Sequence, residues 1–132
     1  MKVHVALTTP QFEQSVAFYR ALLRQEPVKL KPGYAKFDLF DPPLNLTLNE
    51  GPAPLPGALS HLGIQVFSTE AVAAAAERLR AAGLAIDEKH GTDCCYALQD
   101  KVRVRDPDGN RWEVFVVKIP DTQPNLRTNT ES

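Results

Sequence analysis

Apolar and polar residues alternate through Val3-His4-Val5-Ala6-Leu7, so that Val3, Val5 and Leu7 share one face and His4 and Ala6 the other. That pattern predicts a half-buried strand. Thr9 and Pro10 then offer an N-cap and a first-turn proline, and Phe12, Val16, Tyr19 and Leu23 recur at helical spacing. A helix is expected to pack back on the strand and to end near Gln25-Glu26-Pro27. Two more strands, 34–40 and 44–48, flank the turn Asp41-Pro42-Pro43.

After residues 50–57, where three prolines alternate and favour an extended connector, the order begins again. Leu62, Ile64 and Val66 lie on one face of the next strand, and His61, Gly63 and Gln65 on the other. Ser68 is placed to cap a second helix with the apolar stripe Val72, Ala76, Leu79 and Ala82, closed by Gly83. Less regular strands follow at 84–87, through a cysteine-bearing stretch to about Leu98, at 102–104 and at 112–117, with Asp106-Pro107-Asp108-Gly109-Asn110 as the turn before the last. The halves share their element order, a histidine on the polar face of the opening strand, and an Asp-Pro turn before the closing strand. A tandem duplication explains all three.

At 132 residues the chain has room for one domain with a real core. Its expected extent is 1–118, with module one at 1–49, the linker at 50–57 and module two at 58–118. Residues 119–132 carry almost nothing apolar and are expected to form a disordered tail. With 43% hydrophobic residues, 23% charged and a net charge of -1, neither nucleic acid nor an anionic membrane is an expected partner. The first residues run straight into a strand without a secretory leader, and no apolar run approaches transmembrane length, so a cytoplasmic protein is expected. In that reducing compartment its cysteines stay thiols.

Both cysteines stand side by side, in Thr92-Asp93-Cys94-Cys95-Tyr96. Three readings are open: inert packing thiols, a vicinal disulfide, or a paired soft ligand. Consecutive Cα atoms lie about 3.8 Å apart, below the usual ~4.4–6.8 Å of a disulfide, so a Cys94–Cys95 ring is strained. In a regular strand the two side chains would point to opposite faces and never cooperate.

Three strands bring a ligand-type residue each to a comparable place: His4, His61 and Glu113. Taken singly, a strand histidine is a satisfied polar residue and Glu113 forms an ion pair, with Arg105 or Arg111 the nearest candidates. Together they point to a divalent cation, because Glu113 shares its face with Phe115 where packing alone would favour an apolar side chain. Two imidazoles and a carboxylate with open positions suit Fe(II) and oxygen chemistry. His90, within Asp87-Glu88-Lys89-His90-Gly91, is expected in a solvated loop. Lys101, Arg103 and Arg105 are expected to form a solvated strand face, and Tyr96 to pack or to contact substrate.

The repeated strand-helix-strands units, with His4, His61 and the run from Asp106 through Arg111-Trp112-Glu113, resemble the vicinal oxygen chelate superfamily of glyoxalases, bleomycin-resistance proteins and extradiol dioxygenases. The resemblance covers nearly everything but the tail. It implies an α+β fold of two tandem βαβββ modules forming a cup-shaped mixed sheet. Within it, the stretch from Asp93 to Val102, with Tyr34-Ala35-Lys36-Phe37-Asp38 and the run from Pro42 to Glu50, is similar to Fe(II)-dependent carbon-arsenic lyases, also called cadmium-induced proteins.

That resemblance implies an enzyme using Fe(II) and O2 to cleave trivalent methyl- or aryl-arsenicals and release arsenite. His4, His61 and Glu113 would hold the iron, and Cys94 and Cys95 the arsenic. The expected partner is the small organoarsenical, with the chain a monomer or a homodimer. A non-catalytic cadmium- or drug-sequestering protein and an extradiol-type ring-cleaving dioxygenase are the alternatives. Aligning 44–48 with 112–116 by strand ends puts Asn45 opposite Glu113, so no second carboxylate completes a four-ligand glyoxalase-type site.

Overall fold

In the computed structural model, which describes residues 1–53, 55, 57–94 and 97–119 and the side chains of these except at 92–94, 97 and 119, each half of the chain builds the same unit. The first contains β1 (Val3–Thr9), α1 (Phe12–Leu23), β2 (Lys29–Lys31), β3 (Tyr34–Leu39) and β4 (Leu44–Glu50). The second contains β5 (Leu62–Gln65), α2 (Thr69–Ala81), β6 (Ile86–Cys94), β7 (Ala97–Arg105) and β8 (Arg111–Ile119). The sheets have the orders β1-β4-β3-β2 and β5-β8-β7-β6. In each, the opening strand runs parallel to the closing one and the remaining pairs are antiparallel. The fold is α+β with two tandem βαβββ modules, as expected. Cys95, Tyr96 and residues 120–132, the bulk of the expected tail, lie outside the described residues.

By contacts the chain divides into Met1–Leu59 with Asp106–Asn110, and Ser60–Arg105 with the segment from Arg111 onward. In the first unit α1 buries Val16, Phe18, Tyr19 and Leu22, and the sheet buries Phe37, Leu39, Leu46 and Leu48. Each such side chain contributes about 1.5–3 kcal/mol when removed from water. Tyr19, fully buried, packs edge-on to Phe18 at 4.9 Å and donates its hydroxyl proton to Asp106 Oδ2 at 2.7 Å. The other Asp106 oxygen accepts the amides of Asp108 at 3.0 Å and Asn110 at 2.8 Å, so this turn is accounted for by its own hydrogen bonds. In the second unit the apolar stripe of α2, Val72, Ala76 and Leu79, is buried, as are Val102, Val104, Trp112, Val114 and Val116 of the sheet.

Several elements depart from the pattern read along the chain. Gln11, not Thr9, occupies the N-cap of α1 and makes no side-chain cap; Thr9 Oγ1 instead accepts the Gln11 amide at 3.0 Å. Ser68 does cap α2, accepting the Ala71 amide at 3.0 Å. Strand β2 was invisible to alternation because all of its residues are exposed. The pieces expected at 84–87 and in the cysteine-bearing stretch belong to one strand, β6, and His90 lies within it rather than in a loop. No helix among the described residues is long and apolar enough to cross a membrane.

Candidate metal centre

Along β8 the alternation sends Trp112, Val114 and Val116 into the core, yet Glu113 between them is only 6% exposed. A carboxylate buried this far needs counter-charge. Glu113 Oε1 accepts from Arg103 Nε at 3.1 Å and lies 3.8 Å from Lys101 Nζ, while Oε2 lies 3.7 Å from His61 Nε2. Arg103 is the cross-strand partner of Glu113 on β7. The partners are therefore Arg103 and Lys101 rather than Arg105 or Arg111. The expected solvated stripe holds at Arg105, which is exposed, and is corrected at the other two: Lys101 is 0% exposed and Arg103 is largely covered. Alternation reveals which face a residue occupies, not whether water reaches that face.

His61 immediately precedes β5, and its ring is anchored at Nδ1, 3.0 Å from Ser60 Oγ. Ser60 is itself held by Arg111, which donates to its carbonyl at 3.3 Å and its hydroxyl at 3.4 Å. In the tautomer whose Nδ1–H donates to Ser60 Oγ, the Nε2 lone pair is left on the side of Glu113 Oε2. Two donors about 2.1 Å from one ion lie about 3.4 Å apart at a tetrahedral angle and about 3.0 Å apart at 90°, so this pair at 3.7 Å would have to close by a few tenths of an ångström or more to share an ion.

His4 is exposed on β1 and pairs in register with Asn45 on β4. Asn45 Oδ1 is buried without a hydrogen-bond partner, an orphaned acceptor of the kind an ion or an ion-bound water satisfies. The ladders also correct the strand-end alignment. Ala6 pairs with Thr47, and Gly63 with Glu113. Ala6 and Gly63 each follow their histidine by two residues, so Thr47 rather than Asn45 is the counterpart of Glu113. Thr47 is buried and not acidic, and module one still supplies no second carboxylate. Within the second unit His61 and Glu113 supply nitrogen and oxygen donors of the kind a divalent ion takes, and the described residues form no group of three or more His, Cys, Asp or Glu that could hold one.

Cys94 closes β6 in register with Ala97, and Cys95 lies outside the described residues. Upstream, the β6–β7 register shifts between Lys89 and Thr92, where Gly91 has φ +62°. Lys89 pairs with Lys101 but Thr92 with Gln99, so β6 carries one extra residue, a β-bulge. The bulge reverses the alternation. It brings Cys94 into the ladder rows that continue from Lys101 and Arg103, instead of those of Glu88 and His90.

Asp100 pins this bulge. It is 1% exposed; Oδ1 accepts the Gly91 amide at 2.7 Å, Oδ2 accepts the Thr69 hydroxyl at 3.0 Å, and Lys118 Nζ stands 3.4 Å away. Burial pushes its pKa up, but the Gly91 amide, the Thr69 hydroxyl and the Lys118 ammonium together outweigh burial and hold it below the ordinary aspartate value. His90 Nδ1 lies 3.8 Å from Asp100 Oδ1. Chain pattern gave no sign of Asp100 in this region; it put Lys101 on the right strand face without its burial, and Ser60 was marked only by its place next to His61.

Residues 3–114 match the glyoxalase/bleomycin resistance protein/dioxygenase superfamily. The chain belongs to this superfamily. Among superfamily relatives, the chain is 47% identical over 117 residues, 89% of its length and 78% of the relative's, to the trivalent organoarsenical cleaving enzyme of Thermomonospora curvata. It is 47% identical over 116 residues, 88% of its length and 76% of the relative's, to the cadmium-induced protein CadI of Mycobacterium tuberculosis. Solved superfamily structures share the fold. One from Alicyclobacillus acidocaldarius aligns with a TM-score of 0.70 at 15% identity, covering 89% of this chain and 92% of that one. One from Nocardioides aligns with a TM-score of 0.67 at 23% identity, covering 89% and 83%.

Proposed function

We propose that this chain is an enzyme that cleaves the carbon–arsenic bond of trivalent organoarsenicals and releases arsenite, with Fe(II) as its metal and O2 as co-substrate. His4, His61 and Glu113 hold the iron, and Cys94 and Cys95 hold the arsenic. The reading is carried by 47% identity, over 89% of the chain, to a protein named for that activity. The His61–Glu113 pair at 3.7 Å supports it from the geometry.

Each group has a physical task. Lys101 and Arg103 engage Glu113 Oε1, which leaves Oε2 on the His61 side as the ligating oxygen. Ser60 fixes the His61 ring so that Nε2 is presented. As(III) is soft, and two thiols chelate it, two As–S bonds replacing two As–O bonds as the thiol protons leave with the arsenical's hydroxyls as water. This leaves the organic substituent free to be positioned, and most of the protein's contribution is proximity. Fe(II), when bound, supplies the oxygen chemistry. The free thiols required fit a reducing cytoplasm.

The mycobacterial relative is named for induction by cadmium, and the rival reading is a protein that sequesters cadmium or a drug without turnover. An anaerobic Fe(II)-loaded sample given methylarsenite and then O2 separates the two. Arsenite appears if the proposal holds; saturable binding with no arsenite overturns it. Cys94→Ser with Cys95→Ser abolishes arsenite release, and retained release overturns arsenic ligation by this pair; ring cleavage of a catechol, which needs no thiols, would survive in the same variant.

A further inference from the structure

Asn45 of β4 holds a buried Oδ1 with no hydrogen-bond partner. Buried acceptors are almost always satisfied, so this one requires a donor. The register shows what stands beside it. Asn45 pairs with His4 of the parallel strand β1 and with Asp38 of the antiparallel strand β3, and residues abreast in a ladder point to the same face. Asp38 is a carboxylate that accepts from Lys2 Nζ at 2.5 Å, and it brings no proton to a neighbouring oxygen. His4 does. Its exposed ring makes no hydrogen bond among the described residues, and a neutral imidazole always carries one proton to donate.

The second unit shows the same position in use. Thr47 and Glu113 are counterparts, so Asn45 and Arg111, each two residues earlier, are counterparts as well. Arg111 donates to the carbonyl and hydroxyl of Ser60, and Ser60 Oγ lies 3.0 Å from His61 Nδ1. The residue that precedes His4 is Val3, which has no hydroxyl to relay a contact. In the first unit the residue at this position therefore has to reach its histidine directly. Neighbouring strands lie about 4.8 Å apart, within the reach of an asparagine and an imidazole side by side. Nδ1, nearer the backbone than Nε2, is the nitrogen that so short a side chain meets, and an exposed ring turns onto it by side-chain rotation alone.

We infer that Asn45 is a positioning residue whose Oδ1 accepts the Nδ1 proton of His4, fixing the ring and leaving the Nε2 lone pair free for the metal. The inference rests on the proposed function for His4 as an iron ligand, and on the register and the orphaned oxygen for the contact itself. Both histidines of the repeated units then present Nε2, one held by Ser60 and the other by Asn45.

The test uses the full metal-free chain, labelled with nitrogen-15 in its three histidines, at about pH 8.5, where an ordinary imidazole is neutral. Long-range proton–nitrogen correlations read which ring nitrogen of His4 carries the proton, with His4→Ala identifying its signals. The expected wild-type form is Nδ1–H. Asn45→Leu should return His4 to the Nε2–H form that an unrestrained imidazole favours in water, and Asn45→Asp, which keeps an oxygen, should retain Nδ1–H. Zn(II) affinity, measured by competition with a chelating dye, should fall about tenfold or more in Asn45→Leu and recover in Asn45→Asp. Asn45→Ala repeats both measurements if circular dichroism shows that leucine disturbs the sheet.

A wild-type His4 in the Nε2–H form, or the same tautomer in wild type and Asn45→Leu, overturns the inference. So does a wild-type Zn(II) affinity in Asn45→Leu when His4→Ala lowers it. If His4→Ala leaves Zn(II) affinity unchanged, the proposed triad fails instead, and the tautomer alone decides whether Asn45 holds the ring.

Discussion

The Gly91 amide donates to Asp100 Oδ1 at 2.7 Å, and that bond sits on the one extra residue of β6. The bulge it holds is what carries Cys94 from the rows of Glu88 and His90 to those of Lys101 and Arg103. Asp100→Ala should cost about 2 kcal/mol in urea unfolding, and Asp100→Asn, which keeps an oxygen for the amide, about half as much. If the bulge positions the thiol pair, phenylarsine oxide binding weakens in the alanine variant and recovers in the asparagine variant. Stability loss with unchanged arsenical binding would confine Asp100 to packing.

The same carboxylate gives an acid-side dependence. Its pKa in the folded chain is lowered, since the Gly91, Thr69 and Lys118 interactions outweigh burial. Its contribution to stability is therefore fully present above the unfolded aspartate value of about 3.9, and is lost as pH falls through the lower folded value. Urea midpoints of wild type and Asp100→Asn measured from neutral pH downward should differ most above about pH 4 and converge below it. Parallel curves throughout would contradict the assignment.

Glu113 is the centre of the metal reading, with His61 Nε2 at 3.7 Å and two cations on its other oxygen. Glu113→Ala should lower Fe(II) affinity more than about 100-fold in anaerobic titration, beyond the loss typical of a residue that only orients a ligand. Unchanged affinity would break the proposed triad. Zinc, nickel or copper found on the purified protein decides nothing, because each outcompetes iron at such donors.

Lys101 is fully buried beside that carboxylate. Lys101→Met should destabilise the metal-free protein by about 3 kcal/mol, because a buried charge loses one of its partners. Added divalent metal should restore part of this loss by supplying positive charge at the same carboxylate, so the metal-induced rise in the urea midpoint is larger in the variant than in the wild type. An equal rise in both would place Lys101 outside the electrostatics of the centre.

Module order, both helices, the Ser68 cap and the face of Glu113 were readable along the chain, because strand and helix periodicities are local properties of consecutive residues. His4, His61 and Glu113 could be singled out for the same reason: each is a ligand-type residue on a strand face whose neighbours are legible. Strand β2 escaped because none of its residues is buried, and β6 looked fragmented because the Gly91 bulge breaks its alternation.

Register and burial belong to the tertiary structure alone. Thr47 rather than Asn45 is the counterpart of Glu113 because inter-strand hydrogen bonding, not distance from a strand end, sets which residues lie abreast. Lys101 and Arg103 were placed on the correct face by alternation, but only packing turned that face from a solvated stripe into the ionic support of a buried carboxylate. The chain alone determined which residues could do chemistry and on which sides of their strands they stand. The fold decided which of them are dry, because desolvation depends on everything packed around a side chain and local order carries no record of it.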